Sequence, residues 1–143
     1  MSLDLDLFDC HSHWGTRRGY IFRTDDEIAQ QEKIWNTKAT FLTDQEMVDY
    51  FRANRARVIL DLSFTKFLPI EQIREHHDYA FALQKANPDA VFGHWLQFDP
   101  RRPLEAVREF DRAVSAKAGF IGICVNGQVT GIAASDTRWD PFY

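Results

Sequence analysis

The sequence is poor in several features that are typical of particular protein classes. Among its 143 residues are two cysteines, five prolines and seven glycines. Cys10 and Cys124 stand far apart in apolar runs and form no C-x-x-C pair, which argues against a disulfide framework. No run approaches the roughly 18 consecutive apolar residues of a membrane span. The acidic start, Met1 to Asp6, lacks the basic and apolar regions of a secretory signal. We therefore expect a cytoplasmic protein that does not insert into a membrane.

An excess of basic residues is also absent. The chain carries 17 Lys and Arg against 21 Asp and Glu, a formal net charge of −4, and its basic residues form no stripe. Proteins that bind nucleic acid through its phosphates normally show clustered Lys and Arg, so we expect no nucleic-acid partner. The apolar share of 45% is that of an ordinary globular domain, and the length favours one domain.

Apolar segments alternate along the chain with segments of helical periodicity. Strands are predicted near 5–10, 58–62, 90–96 and 120–125, and helices near 25–35, 44–54, 69–87 and 103–119. This order is typical of parallel βαβ units. Four such strands fit either an open doubly wound sheet or half of an eight-stranded barrel, which needs roughly 250 residues. A long insertion at about 15–42 is expected to form a lid or a binding loop.

The sequence Asp9-x-His11-x-His13 closes the first predicted strand and opens the loop after it. Alternation places Asp9 and both histidines on one face, with Phe8 and Cys10 on the other. Parallel-sheet enzymes carry their sites at the carboxyl ends of strands, and two imidazoles there can converge on one divalent ion. The alternative is a pair of loop histidines with no ligand role.

These motifs resemble a known family. The run from Phe8 to His13 is similar to the first-strand motif of the amidohydrolase superfamily, and Asp99-Pro100, the run 118–123 and the segment 136–143 resemble its amidohydrolase-2 branch. That branch includes aminocarboxymuconate-semialdehyde decarboxylase. The resemblance extends from about Leu7 to Tyr143 but matches only the N-terminal half of the family's domain. It implies an α/β fold, the first half of a (β/α)8 TIM barrel with four parallel strands and intervening helices.

The resemblance also implies a chemistry. His11 and His13 would hold a divalent metal, most readily zinc with manganese as the alternative, together with a histidine and an aspartate from later strands that this sequence does not contain. No lysine follows the fourth strand to bridge a second metal, which favours a mononuclear site. The implied activity is that of a hydrolase or nonoxidative decarboxylase acting on a small aromatic or unsaturated carboxylic acid.

Three residues are candidate substrate contacts. Trp14 offers an aromatic face, and Arg17, or its neighbour Arg18, offers a guanidinium for a carboxylate. Asn126 follows the fourth strand, where its alternative role is that of a turn residue. Asp61 ends a predicted strand, a position compatible with function.

Two other interpretations stay open. One is a catalytically incomplete half-barrel, whose open edges need another chain or a C-terminal half to cover them. The weaker one is an unrelated H-x-H metal enzyme of the polymerase-and-histidinol-phosphatase type. The remaining histidines receive no chemistry: His94 is expected in the core, and His76 and His77 are expected on a charged helix face.

Overall fold

Four parallel strands form one sheet in the order in which they occur along the chain. The structure, a computed structural model, describes residues 6–116 and 119–143. The strands are β1 (Leu7–His13), β2 (Ala56–Leu62), β3 (Val91–Gln97) and β4 (Phe120–Cys124), and their order in the sheet is β1-β2-β3-β4. A doubly wound sheet reverses its strand order at an internal switch point, whereas a barrel adds each strand beside the last. The prediction of a half TIM barrel is therefore confirmed.

Helices fill the connections between the strands, close to the predicted bounds. They are α1 (Asp25–Trp35), α2 (Asp44–Ala53), α3 (Ile70–Ala86), α4 (Pro103–Ser115), α5 (Gly127–Thr130) and a 3-10 helix (Thr137–Phe142). Both α1 and α2 begin at capping boxes, in which Thr24 and Thr43 accept backbone N–H bonds from the glutamates three residues later. Ala118, where we expected the fourth helix to end, lies outside the described residues. Among those that are described, no helix is long and apolar enough to cross a membrane.

The helices cover one face of the sheet only. On β2, the side chains of Val58, Leu60 and Leu62 are buried in the core that the sheet shares with the helices. The alternate residues of the strand point to the other face, where Arg57 is exposed and its guanidinium lies 4.7 Å from the ring of Phe92. Phe92 is itself 38% exposed. The sheet thus leaves its second face, the inner face of a barrel, uncovered within the described residues.

Strand β1 differs from the prediction in two ways. It continues through His13, so both histidines lie on the strand and not on a loop after it. Its pairing with β2 also shifts register between Asp9 and Ser12, which inserts an extra residue and interrupts the alternation of faces. As a result Phe8 packs edge-on against Phe92, with ring centroids 5.3 Å apart, on the uncovered face. The expectation that Phe8 points away from His11 was wrong for this reason.

A buried charge cluster joins α3 to α4. Glu109 is fully buried, and its carboxylate lies 2.7 Å from His77 Nδ1, 3.1 Å from Arg74 Nε and 2.7 Å from Arg112 Nη2. The prediction of an exposed, charged helix face was therefore wrong for His77, which is fully buried. The periodicity marked His77 as an inward position, but its partner is 32 residues away and was invisible in the sequence. Burial acts to raise the pKa of Glu109, yet the bonds from His77 and Arg112 lower it to about 2.

Candidate metal centre

Three potential metal ligands meet at the carboxyl end of β1 and β2. His11, His13 and Asp61 each offer a ligand atom, and these atoms all lie within 4.8 Å of one another. The two imidazole rings are 5.1 Å apart between centroids and tilted by 55°. Asp61 pairs in register with His13 across the two strands, and its Oδ2 lies 3.2 Å from His11 Nε2. The structure thus brings together the two histidines singled out in the sequence and adds a carboxylate.

The chemistry of this donor set fits a divalent metal. Catalytic zinc sites commonly use three protein ligands drawn from imidazoles and carboxylates and leave a fourth position open. Manganese accepts the same nitrogen and oxygen ligands. The side chain of His11 is 59% exposed, so one side of the cluster is accessible to a substrate or water. The three residues could therefore hold one ion with a position left for chemistry.

Asp61 is held in place by one neighbour just beyond the end of its own strand and by one on β4. Cys124 Sγ lies 2.8 Å from Asp61 Oδ1, and Ser63 Oγ lies 3.3 Å from Oδ2. Burial, and then the adjacent carboxylate, raise the pKa of the Cys124 thiol, so it is protonated and donates to Asp61. The sequence placed Asp61 at a strand end without assigning a ligand role. The signal in the sequence was an acidic residue that interrupts the apolar run of β2. Its pairing with His13 across the two strands is seen in the structure.

Trp95 lies across the uncovered face beneath this cluster. Its indole Nε1 donates to the backbone carbonyl of Cys10 at 2.8 Å, two strands away. On the opposite side a Cβ at Gly122 would lie 2.6 Å from the Trp95 ring, so only a glycine leaves room for the indole there. Sequence reasoning did not identify Trp95 as a neighbour of the site. A glycine within β4 was the available hint.

Two cavities flank the cluster, and Asp61 borders both. An open cavity of about 810 Å³ has among its lining residues His11, Asp61, Trp95, Cys124 and Asn126. A second, of about 310 Å³, has among its lining residues His13, Trp14, Tyr20, Trp35 and Asp61. The second cavity is walled in part by the segment at 15–42, where we expected a lid or a binding loop.

The three candidate substrate contacts lie in different environments. Trp14 is 2% exposed and stacks on His94, with ring centroids 5.5 Å apart. It lines the smaller cavity, but nearly all of its side chain is packed against the protein. Arg17 bonds backbone carbonyls of its own loop and pairs with Asp25 at 3.2 Å. Asn126 lines the larger cavity, and its side chain also caps α5 by accepting from a backbone N–H.

His94 occupies the core position expected for it. It lies on β3, is fully buried and faces the helices. Burial lowers its pKa to about 4, although contact with the Ala80 backbone acts in the opposite direction, so the ring is neutral near pH 7. His94 therefore supports Trp14 by stacking and is separate from the cluster of potential ligands.

The comparisons with known proteins gave structural neighbours only. No family model matches the chain, and no curated protein matches it. A crystal structure of an amidohydrolase II superposes with a TM-score of 0.65 at 20% identity, covering 95% of this chain and 45% of that one. The 5-carboxyvanillate decarboxylase LigW of Sphingomonas paucimobilis superposes with a TM-score of 0.65 at 18% identity, covering 97% of this chain and 48% of that one.

These neighbours bear on the fold. At 18% and 20% identity, the superpositions show that this chain shares the fold of the two structures. This is the fold that the resemblance in the sequence implied. The chain spans a little under half the length of either neighbour. The four strands described above thus match one half of a TIM barrel.

Proposed function

We propose that this chain forms the metal-binding half of a metal-dependent enzyme of the amidohydrolase-2 type. Its reaction is the hydrolysis or nonoxidative decarboxylation of a small aromatic or unsaturated carboxylic acid. The observation that carries the proposal is the convergence of His11, His13 and Asp61 within 4.8 Å on the open face of the sheet. The shared fold supports it, since one neighbour is a decarboxylase of an aromatic acid.

The roles of the residues follow from their positions. His11 and His13 would hold a divalent ion, zinc first and manganese as the alternative, through their ring nitrogens. Such an ion, once bound, would supply Lewis acidity toward a carbonyl or carboxylate oxygen of the substrate. The indole of Trp95 forms an apolar floor beside them and is fixed in orientation by its bond to the Cys10 carbonyl. A planar apolar ring in the larger cavity would lie against that floor.

We assign recognition of the substrate to Trp14, Arg17 and Asn126. The amide of Asn126 lines the larger cavity within reach of a polar substituent, and Trp14 shapes the smaller cavity. The ion pair of Arg17 with Asp25 is open to solvent at both ends, with side chains 40% and 98% exposed. Such a pair contributes little free energy, so a substrate carboxylate can displace Asp25 from the guanidinium.

An activity assay tests this proposal. The protein, loaded with zinc or with manganese, is incubated with a panel of aromatic and unsaturated carboxylic acids, and release of CO2 and loss of substrate are followed. We expect turnover of at least one acid that stops on chelation and in His13→Ala. Arg17→Met should raise KM more than it lowers kcat, whereas Arg57→Met, at the amino end of β2, should change neither. Turnover that is indifferent to chelation would contradict the proposal, and a metal-loaded protein that turns over no acid would favour the second candidate, described next.

A second candidate is a half-barrel that works only when four further strands complete it. Within the described residues β1 pairs only with β2, and β4 only with β3, which leaves two open parallel edges. Leu7 and Phe8 are 56% and 55% exposed on one of them. Open edges of this kind favour pairing with another chain or with a further half of the protein. Light scattering is the test: a multiple of 16.7 kDa supports self-assembly, and a stable species of 16.7 kDa contradicts it.

A further inference from the structure

We infer that Asp61 is the third metal ligand and that Cys124 is a positioning residue for its carboxylate. The four strands would then hold a metal with ligands of their own, without a ligand from any later strand. The inference rests on the proposed function, in which His11 and His13 bind the ion. It assigns a role to each oxygen of Asp61, Oδ2 toward the metal and Oδ1 toward the thiol.

The distance between Asp61 and His11 supports ligation. Oδ2 and Nε2 are 3.2 Å apart, at the long end for a hydrogen bond. Two ligand atoms that each lie about 2.0 to 2.2 Å from a tetrahedral ion are about 3.3 to 3.6 Å apart. An ion could therefore take these two atoms as ligands with little movement of either side chain. The side chain of Asp61 is only 10% exposed, so its orientation is set by protein neighbours.

The other oxygen is engaged by β4. Cys124 donates its S–H to Oδ1 at 2.8 Å and so leaves Oδ2 turned toward the histidines. The Cys124 sulfur does not belong to the group of ligand atoms that lie within 4.8 Å of one another, which favours a positioning role over direct ligation. Groups that orient metal ligands in this way typically account for 10- to 100-fold of metal affinity.

Cys10 provides the matched control. It is the other cysteine of the chain, it is exposed, and it lines the same cavity as Cys124. The contact that the structure shows between Cys10 and the site is made by its backbone carbonyl, which accepts a hydrogen bond from Trp95 Nε1. Replacing the Cys10 side chain therefore removes a thiol from the cavity without touching Asp61.

The experiment measures zinc affinity by competition with a chromophoric chelator and records the absorption spectrum of the cobalt-substituted protein. We expect Asp61→Asn to weaken zinc binding by about 100-fold and Cys124→Ala by about 10-fold. Cys124→Ser keeps a donor and should recover most of the affinity, and Cys10→Ala should match the wild type. The cobalt protein should show no thiolate-to-cobalt charge-transfer band.

Three results would overturn the inference. Zinc affinity unchanged in Asp61→Asn would remove Asp61 from the ligand set, and affinity unchanged in Cys124→Ala would remove the positioning role. A charge-transfer band that disappears in Cys124→Ala would make the sulfur a direct ligand. The variant His11→Ala distinguishes a failure of this inference from a failure of the proposed function. If His11→Ala loses zinc while Asp61→Asn retains it, only the inference fails; if the wild-type protein binds no zinc, the proposed function fails.

Discussion

Replacing Glu109 by Gln should destabilise the protein through the buried cluster between α3 and α4. The substitution keeps the size of the side chain and removes its charge. Glu109 is fully buried and accepts charge-assisted bonds from Arg74 and Arg112, together with a 2.7 Å bond to buried His77. An uncharged amide cannot accept all of these bonds, and its NH2 group would face donors.

The loss of stability in Glu109→Gln can be estimated from the ion pairs that the substitution removes. Breaking a fully buried ion pair costs about 3 to 5 kcal/mol. Here Arg74 and Arg112 are 43% and 38% exposed and can turn to water, which lowers the cost to about 2 to 4 kcal/mol. In a chain of this length that corresponds to a fall in Tm of about 10 °C.

Urea unfolding followed by circular dichroism measures the change. Glu105→Gln is the control, because Glu105 lies on the same helix and its 3.4 Å pair with Arg102 is exposed at both ends. That variant should change the free energy of unfolding by less than about 0.5 kcal/mol. A loss equally small in Glu109→Gln would refute the role assigned to the cluster.

The same variant has a pH signature. The folded pKa of Glu109, about 2, lies below its ordinary value of 4.5. The stability that its ionisation contributes is therefore fully present above about pH 4.5 and is lost as the pH falls toward 2. Glu109→Gln should show a flatter loss of stability across that window than the wild type.

Three further results are expected. Gly93→Ala should destabilise the fold by about 1 to 3 kcal/mol in denaturant titrations, because a Cβ there would lie 2.2 Å from the backbone oxygen of Gly119; wild-type stability would contradict that packing. Thr43→Ala removes the cap of α2 and should cost about 1 kcal/mol in the same assay, and no loss would mean that the capping box is not formed in solution. Acidification should release zinc to a chromophoric chelator, since protons compete with a metal ion for its ligands; affinity independent of pH would contradict a site built from histidine and aspartate.

The sequence predicted the helices and strands well because their signals are local. Thr24, as an N-cap, marks the start of α1, the capping box at Thr43 marks the start of α2, and Pro103 marks the start of α4. The apolar runs gave β2, β3 and β4 to within two residues. The alternation of strands and helices gave the fold class, but only the resemblance, and then the sequential strand order in the sheet, separated a half-barrel from a doubly wound sheet.

The features that the sequence did not reveal depend on contacts between distant residues. The register shift in β1 that turns Phe8 to the uncovered face arises from pairing with β2. His77 and Glu109 are 32 positions apart, and Cys124 lies 63 positions from Asp61. In the candidate metal centre the histidine pair was visible as a motif, whereas Asp61 joins it only because β2 lies beside β1.

The metal content of the protein tests the central claim most directly. Wild-type protein and His13→Ala are incubated with zinc, dialysed free of unbound ion, and analysed for zinc per chain, with His94→Gln as a control for a buried histidine outside the cluster. The account predicts about one zinc per chain in the wild type and in a folded His94→Gln, and a loss of most of it in His13→Ala. Wild-type protein without zinc, or equal zinc in wild type and His13→Ala, would contradict it.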